Sequence, residues 1–327
     1  MNERELLRRL ASGPVSGASL ARDAGLSRAA VWKRIEGLRA SGLPVEALPG
    51  RGYALGHPLD LLDAAAIEAG LPDAATVELA SLEVAWTLDS TNSELLRRVT
   101  PQRGSAVLLA EQQTDGRGRR GRDWASPLAA NLYLSLSRRF GGGLARLPGV
   151  SLVAGVAAAE ALHGLGFPGV RLKWPNDLVV TDGSGLRKLG GLLVEGGGEA
   201  AGPARAVLGL GLNVAMPPSA ATAIDQPWVD LAGLAGGAAP SRNRLAAGLL
   251  GHLLPALAEF DAAGLAPFLA RHAALDALAG RDVLLHGEQG TIAATALGLA
   301  SDGALRVRID GREQLVHAGE VSVRAAS

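Results

Sequence analysis

The sequence predicts an α+β fold in three parts: an N-terminal winged helix-turn-helix, a central α/β domain on a mixed sheet, and a small all-β domain at the end. Three observations predict it. A short basic opening carries helix caps and a turn glycine. A long middle stretch alternates β-rich runs with helical ones. A closing stretch holds only short apolar runs broken by Gly and Asp-Gly. The expected boundaries are 1–58 for the first unit, 59–82 for a connecting helical segment with linker GHPLD, 83–275 for the middle unit and 276–327 for the last.

Composition sets limits before any motif is read. The chain has 327 residues, a formal net charge of zero and 48% hydrophobic residues, enough for a sizeable core. No global field draws it to nucleic acid, so such a partner must be met by a local patch. With no cysteine, disulfides, thiolate metal sites and Cys nucleophiles are excluded, which suits a reducing cytoplasm. The six histidines show no ligand spacing, so no resident metal is expected. The opening MNERELLRRL has no apolar stretch of a signal peptide, and no run of membrane-spanning length is expected. A cytoplasmic protein without a membrane partner is the expectation.

Residues 1–56 hold nine Lys/Arg against five Asp/Glu. Within them SGASLARDAGLSRAAVWKRIEGLRASG has the rhythm of a helix-turn-helix. A first helix is expected over 17–24, and Gly25 supplies the positive φ of a tight turn. Ser27 is placed to cap a second helix. Val31, Ile35 and Leu38 recur at helical spacing and are expected inside. Ser27, Arg28, Ala29, Trp32 and Lys33 then fall where a recognition helix meets a DNA groove, although a lone Trp32 suits a core equally well. VEALPGRGYAL reads as two strands around a wing, with Arg51 at its tip for a phosphate.

The middle unit contains GRGRRGRDWASP at 116–127. It satisfies G-x-G-x-x-G, yet a dinucleotide cradle needs a helix after the glycines. The segment after this stretch, NLYLSLS, has strand rhythm instead, so that reading fails. Read physically, four arginines between glycines form a loop that cannot build a core and wants a ligand with several negative oxygens. Such a loop is expected to order only when an anion arrives. Triplet glycines at 141–143 and 196–198 are expected to be loops as well.

Other motifs accompany it. KWPNDL presents Lys173, Asn176 and Asp177 around a Trp-Pro turn, and a Lys173–Asp177 ion pair is one reading of it. RKLGGLLVE puts Lys188 at the start of an apolar strand whose glycines let another group approach. GLGLNV is a second Gly-rich strand. DSTN ends a strand in Ser90, Thr91 and Asn92, where the hydroxyls either cap the next helix or meet a polar ligand.

Together and in this order, DSTN, EQQTDGRGRRGRDWASP, KWPNDL, RKLGGLLVE and GLGLNV resemble the biotin–protein ligases. With the winged helix in front, the whole chain resembles the bifunctional bacterial biotin ligase and biotin-operon repressor family. The resemblance implies a central catalytic domain of the biotin/lipoyl ligase type and a final SH3-like β-barrel. It implies ATP and biotin as substrates with Mg²⁺, the biotin carboxyl carrier protein of acetyl-CoA carboxylase as acceptor, operator DNA, and a homodimer when the adenylate is bound. By the same resemblance, Ser90, Thr91, Asn92, Gln113, Gly116, Arg117, Arg119 and Lys188 take biotin. Arg119, Arg122, Trp124, Lys173, Asn176 and Trp228 take ATP, and Lys188, Arg119 and Arg122 carry the chemistry. Arg324 is a candidate for carrier or ATP contact. Three alternatives stay open: a ligase without operator regulation, a ligand-responsive DNA-binding protein without transfer activity, and a lipoyl-type ligase.

Overall fold

The structure is a computed structural model that describes residues 2–56, 59–183, 185–198, 203–222, 224–287, 290–318 and 322–325. The first unit consists of α1 (Glu3–Ala11), α2 (Gly17–Ala24), α3 (Arg28–Ala40) and an antiparallel hairpin of β1 (Val45–Leu48) and β2 (Gly52–Leu55). The local chemistry is the one expected. Gly25 takes φ 62° at the end of α2, and the Ser27 hydroxyl accepts the Ala30 N–H at 3.2 Å. Val31, Ile35 and Leu38 are buried. Helix α1 is an addition to the expected elements. Asn2 and Glu5 cap it reciprocally, and Leu6, Leu7 and Leu10 lie on its buried face.

A short α4 (Ala64–Ala69) and α5 (Asp73–Thr76) lead into β3 (Leu79–Leu88). The boundary expected at 82/83 therefore falls inside a strand. Leu62 and Ile67 belong to the main core, so this segment packs as part of the central unit. Residues 57–58 of the expected linker lie outside the described residues. Helix α6 (Thr91–Arg97), β4 (Ser105–Gln113), β5 (Leu132–Phe140), α7 (Leu147–Gly164), β6 (Val170–Lys173), β7 (Asp177–Asp182), β8 (Gly185–Gly198) and β9 (Ala204–Leu212) come next. The strands form one seven-stranded sheet in the order β3-β4-β5-β9-β8-β7-β6. Only β3 and β4 run parallel, so the sheet is mixed, as expected. Two one-turn helices, α8 (Pro218–Ala221) and α9 (Leu231–Leu234), precede α10 (Arg242–Ala263) and α11 (Ala266–Leu275).

Two expectations need correction. Helices α7 and α10 are long and apolar enough to cross a membrane, against the expectation of no such segment. Their apolar residues pack against the sheet and each other, with Val150, Val153, Leu162, Leu250, Leu254 and Leu257 fully buried. A helix apolar on all sides is what the core of a large domain also requires. Second, Gly196–Gly198 are not a loop but the end of β8, paired with β9. A Cβ at Gly196 would meet the Arg205 carbonyl oxygen at 2.1 Å, so close backbone approach explains the glycine there.

The last unit is a five-stranded antiparallel sheet of β10 (Asp282–Gly287), β11 (Gly290–Leu299), β12 (Leu305–Ile309), β13 (Arg312–Val316) and β14 (Ser322–Ala325), in the order β13-β12-β11-β10-β14. Trp174, from the turn between β6 and β7, is buried in its core and donates its indole N–H to Gly303 O at 3.1 Å. The side chain of Arg324 lies outside the described residues.

Candidate functional site

Parallel pairing sets Leu88 beside Gln113, and this brings the start of α6 against the end of β4. Gln113 Oε1 accepts the Thr91 N–H at 2.9 Å and its hydroxyl at 3.1 Å. Gln113 Nε2 donates to Ser126 Oγ at 3.0 Å, which in turn donates to Trp124 O. Below, Ser135 Oγ on β5 lies 2.6 Å from Thr91 Oγ1 and 2.7 Å from Asn92 Oδ1. One hydroxyl proton cannot serve both. Asn92 Oδ1 only accepts, so the Ser135 proton goes there, and the single Thr91 proton has Gln113 Oε1 and Ser135 Oγ as alternative acceptors, one at a time. Asn92 Nδ2 donates to Glu195 Oε2 at 2.9 Å, and that same oxygen takes Arg117 Nη2 at 3.2 Å. Ser90 caps α6 through the Ser93 N–H at 3.4 Å, so the plain structural role is present beside any ligand role. Ser90, Thr91 and Asn92 are all buried.

Next to this neutral cluster stands a charged one. The β6–β7 hairpin turns through Trp174, the cis Pro175 and Asn176. Asp177 at its exit accepts Lys188 Nζ at 2.8 Å, with Lys173 Nζ at 3.8 Å. Lys188 sits where the β7–β8 register slips: Leu178 pairs with Gly190 and Val179 with Lys188. A bulge of this kind re-aims a side chain, and here the ammonium stands 5.4 Å from the centre of the Trp124 ring. Its backbone is held separately, by Lys188 N to Pro227 O and Val229 N to Lys188 O, both at 2.9 Å. That bridge places Trp228 alongside Lys188. Arg119 Nη1 donates to Asn176 Oδ1 at 3.1 Å. Burial, and then the charge of Arg120, lower its pKa, with Asp177 opposing. A guanidinium stays protonated here, so the shift marks a half-buried cation with another cation close by.

The Gly-Arg loop lies over both clusters. Trp124 N donates to Gly116 O at 2.8 Å and Gly118 N to Arg122 O at 2.7 Å, which folds 116–124 back on itself. At Gly116 a Cβ would meet Trp124 O at 2.5 Å and Ser126 Oγ at 2.6 Å. On β9, a Cβ at Gly209 would reach Asn92 Oδ1 at 2.4 Å, and one at Gly211 the Trp124 indole at 2.4 Å. The GLGLN glycines therefore make room for one residue of each cluster. The Trp124 indole N–H is buried with no partner among the described residues.

The fold thus gathers Thr91, Asn92, Gln113, Gly116, Arg117, Arg119, Trp124, Lys173, Asn176, Lys188 and Trp228, with Ser90 at the cap. Arg122 is exposed, as are Arg28, Ala29, Lys33 and Arg51 in the first unit. Trp32 is 56% exposed, which removes the core reading for it. Ser126, Ser135 and Glu195 also belong to the site and are absent from the residues the sequence points to. A serine inside the apolar run LYLSLS is the available signal for Ser135, and a lone acid in LLVEGGG for Glu195. Among the described residues no group of three or more His, Cys, Asp or Glu is placed to hold a metal ion.

Comparison with known proteins agrees along the whole length. Residues 2–54 match the HTH domain family, 84–213 the Biotin/lipoate A/B protein ligase family and 279–324 the Biotin protein ligase C terminal domain. The bifunctional ligase/repressor BirA of Salmonella typhimurium is 41% identical over 311 residues, 95% of this chain and 93% of that protein. Its namesake in Escherichia coli is 41% identical over 98% of this chain and 97% of that protein. The structure of a biotin protein ligase from Aquifex aeolicus in complex with biotin and ATP superposes with a TM-score of 0.63 at 25% identity, covering 76% of this chain and all of that one.

Proposed function

The chain belongs to the family of bifunctional ligase/repressor BirA proteins, and on that premise we propose that it joins biotin to a carrier protein and represses transcription. In the first step a biotin carboxylate oxygen attacks the α-phosphorus of ATP, and pyrophosphate leaves. In the second, a lysine amine of the biotin carboxyl carrier protein of acetyl-CoA carboxylase attacks the mixed anhydride, forming the amide and releasing AMP. The observation that carries this reading is a neutral cluster at Thr91, Gln113 and Ser126 set against a cationic one at Lys188, Lys173 and Arg119 under one loop. Bringing two anions together demands such cations.

Each residue then takes a part. Ser90, Thr91, Asn92 and Gln113, with the backbone of Gly116 and Arg117, bind the uncharged ring of biotin. Arg119 and Lys188 meet its carboxylate. The Lys188 ammonium has three N–H bonds, of which Asp177 takes one, leaving two for the carboxylate and the α-phosphate. Lys173, Asn176, Arg119 and Arg122 take the phosphates, Trp124 walls the site, and Trp228 stacks on adenine. Arg324 contributes from the last unit. Among the described residues Asp177 is the carboxylate seen in this charged cluster, already engaged by two ammonium groups. That suits Mg²⁺ carried in on the nucleotide, where it neutralises phosphate charge, and not a resident metal centre. The loop at 116–124 shields the anhydride from water. For the regulatory part, Ser27, Arg28, Ala29, Trp32, Lys33 and Arg51 face operator DNA. The adenylate-bound homodimer matches a two-fold operator, in the cytoplasm and without a membrane partner.

Exchange of labelled pyrophosphate into ATP by the purified chain is expected to require biotin. No exchange, or equal exchange with lipoate, overturns the ligase reading. A duplex from upstream of biotin-synthesis genes is expected to shift only when biotin and ATP are both present. A shift that ignores both ligands removes the corepressor part.

A further inference from the structure

An indole is exposed on the helix that faces the operator. Trp32 is 56% exposed, while the four other tryptophans are partly or wholly buried. It opens the second turn of α3, close to the Ser27 cap. Recognition helices meet base edges with residues near their N-terminal end. Val31, Ile35 and Leu38 occupy the buried side of α3, and Arg28, Ala29, Trp32 and Lys33 are exposed on the other. With 3.6 residues per turn, Trp32 and Ala29 fall between Arg28 and Lys33 around the helix axis. An apolar pair is thus flanked by two cations.

The side chains of α3 limit what this face can read. In the major groove Arg and Lys pair with guanine, Asn and Gln pair with adenine, and apolar groups meet the 5-methyl of thymine. Helix α3, RAAVWKRIEGLRA, contains no Asn or Gln. Its one acid, Glu36, is paired with Arg39 at 2.6 Å. Adenine therefore lacks its usual reader on this helix, and an A·T pair is told from a G·C pair through the methyl group of its thymine.

We propose that Trp32, with Ala29 beside it, is a specificity-determining residue: the indole packs on a thymine 5-methyl group in the major groove, at the same place in each operator half-site. Arg28 and Lys33 hold the helix against the duplex on either side. This rests on the repressor reading above and names the chemical group that the surface recognises.

The test uses the full chain with biotin and ATP and the duplex of the shift experiment above. Replacing a thymine by uracil removes the 5-methyl group and leaves every hydrogen-bonding edge in place. Scanned one base at a time, this replacement is expected to weaken binding about three- to tenfold at one thymine in each half-site. W32A is expected to bind the parent duplex more weakly by a similar factor and to bind the thymine and uracil duplexes equally. W32L, which keeps an apolar side chain, is expected to retain part of the difference. A scan without a sensitive thymine overturns the proposal. So does a loss in W32A that is equal on the two duplexes, which marks Trp32 as a backbone contact. Should the parent shift no duplex with both ligands present, the repressor reading falls and the role of Trp32 with it. A shift that is blind to the methyl groups removes the role of Trp32 alone.

Discussion

Around Thr91 the site is neutral, buried and already joined by hydrogen bonds; around Lys188 it is cationic, half-buried and only partly matched in charge. The first half is joined by hydrogen bonds from Gln113 and Ser126 above to Ser135 below. In the second, Lys173 and Lys188 gather on the Asp177 carboxylate and Arg119 on the Asn176 amide beside it. The contrast separates two tasks. A preformed neutral pocket recognises a ligand by the shape and hydrogen-bond pattern it presents. A surplus of preorganised cations stabilises charge that arrives or develops during reaction. Substitutions in the two halves are therefore expected to fail differently.

The largest effect is expected at Lys188. K188A removes the cation but keeps the backbone bridge to Pro227 and Val229, which needs no side chain. Biotin-dependent exchange is expected to fall about 10²- to 10³-fold, with thermal unfolding close to that of the parent. Retained exchange means that the charged half is not where the chemistry occurs. A smaller, structural effect is expected at Gly211, where the halves meet. In G211A the new methyl enters the space of the Trp124 indole, 2.4 Å away. Overpacking of this kind costs about 1–3 kcal/mol, read as a lower urea midpoint, and turns Trp124 away from Lys188. A G211A protein as stable and active as the parent refutes the close seating of Trp124 on β9.

The neutral half is broken most gently at Ser135. S135A leaves Asn92 Oδ1 without its donor, at a cost of about 1 kcal/mol. Biotin binding is expected to weaken about fivefold while KM for ATP stays the same. If both ligands weaken together, the two halves are one network and the division drawn between them is wrong.

The same division governs how much of the molecule is legible in its sequence. The recognition helix, its Ser27 cap and its Gly25 turn come straight from local chemistry, because caps and turns depend on residues three or four apart. Lys173 and Lys188 are visible because charged residues stand out in apolar strands, and Asn176 because it follows the Trp-Pro turn. The neutral half is only half-visible. DSTN and Gln113 are picked out by resemblance, but Ser126, Ser135 and Glu195 are not, since their partners lie on other strands. Nothing local tells a buried serine on β5 that Asn92 will sit beside it; the register of β5 with β9, and the bare Gly209 next to it, decide that. Helix α1 escapes for another reason: MNERELLRRL invites a test for a leader peptide, which passes over its Asn2–Glu5 cap. The loop expectation at Gly196–Gly198 fails because glycine marks close backbone approach as well as freedom, and the sequence alone does not say which.

The smallest effect is expected at the hinge of the neutral half, where Asp89 precedes Ser90. Arg97 donates to both Asp89 oxygens, at 2.6 and 2.9 Å, from the last turn of α6. Chiefly through these bonds, and against some desolvation, the Asp89 pKa is lowered from 3.8 to about 2. A carboxyl group with a depressed folded-state pKa stabilises the protein above its unfolded value and loses that contribution as pH falls through the folded one. Between pH 4 and pH 2, then, the parent should lose the part of its stability that pins α6, and D89N should lack that part throughout. Both side chains are well exposed, at 40% and 54%, so solvent screens the pair and the effect stays small. Urea midpoints at pH 6 and pH 3 measure it: the gap between parent and D89N should narrow at the lower pH. A gap that holds constant shows that the charge of Asp89 plays no part in ordering the start of α6.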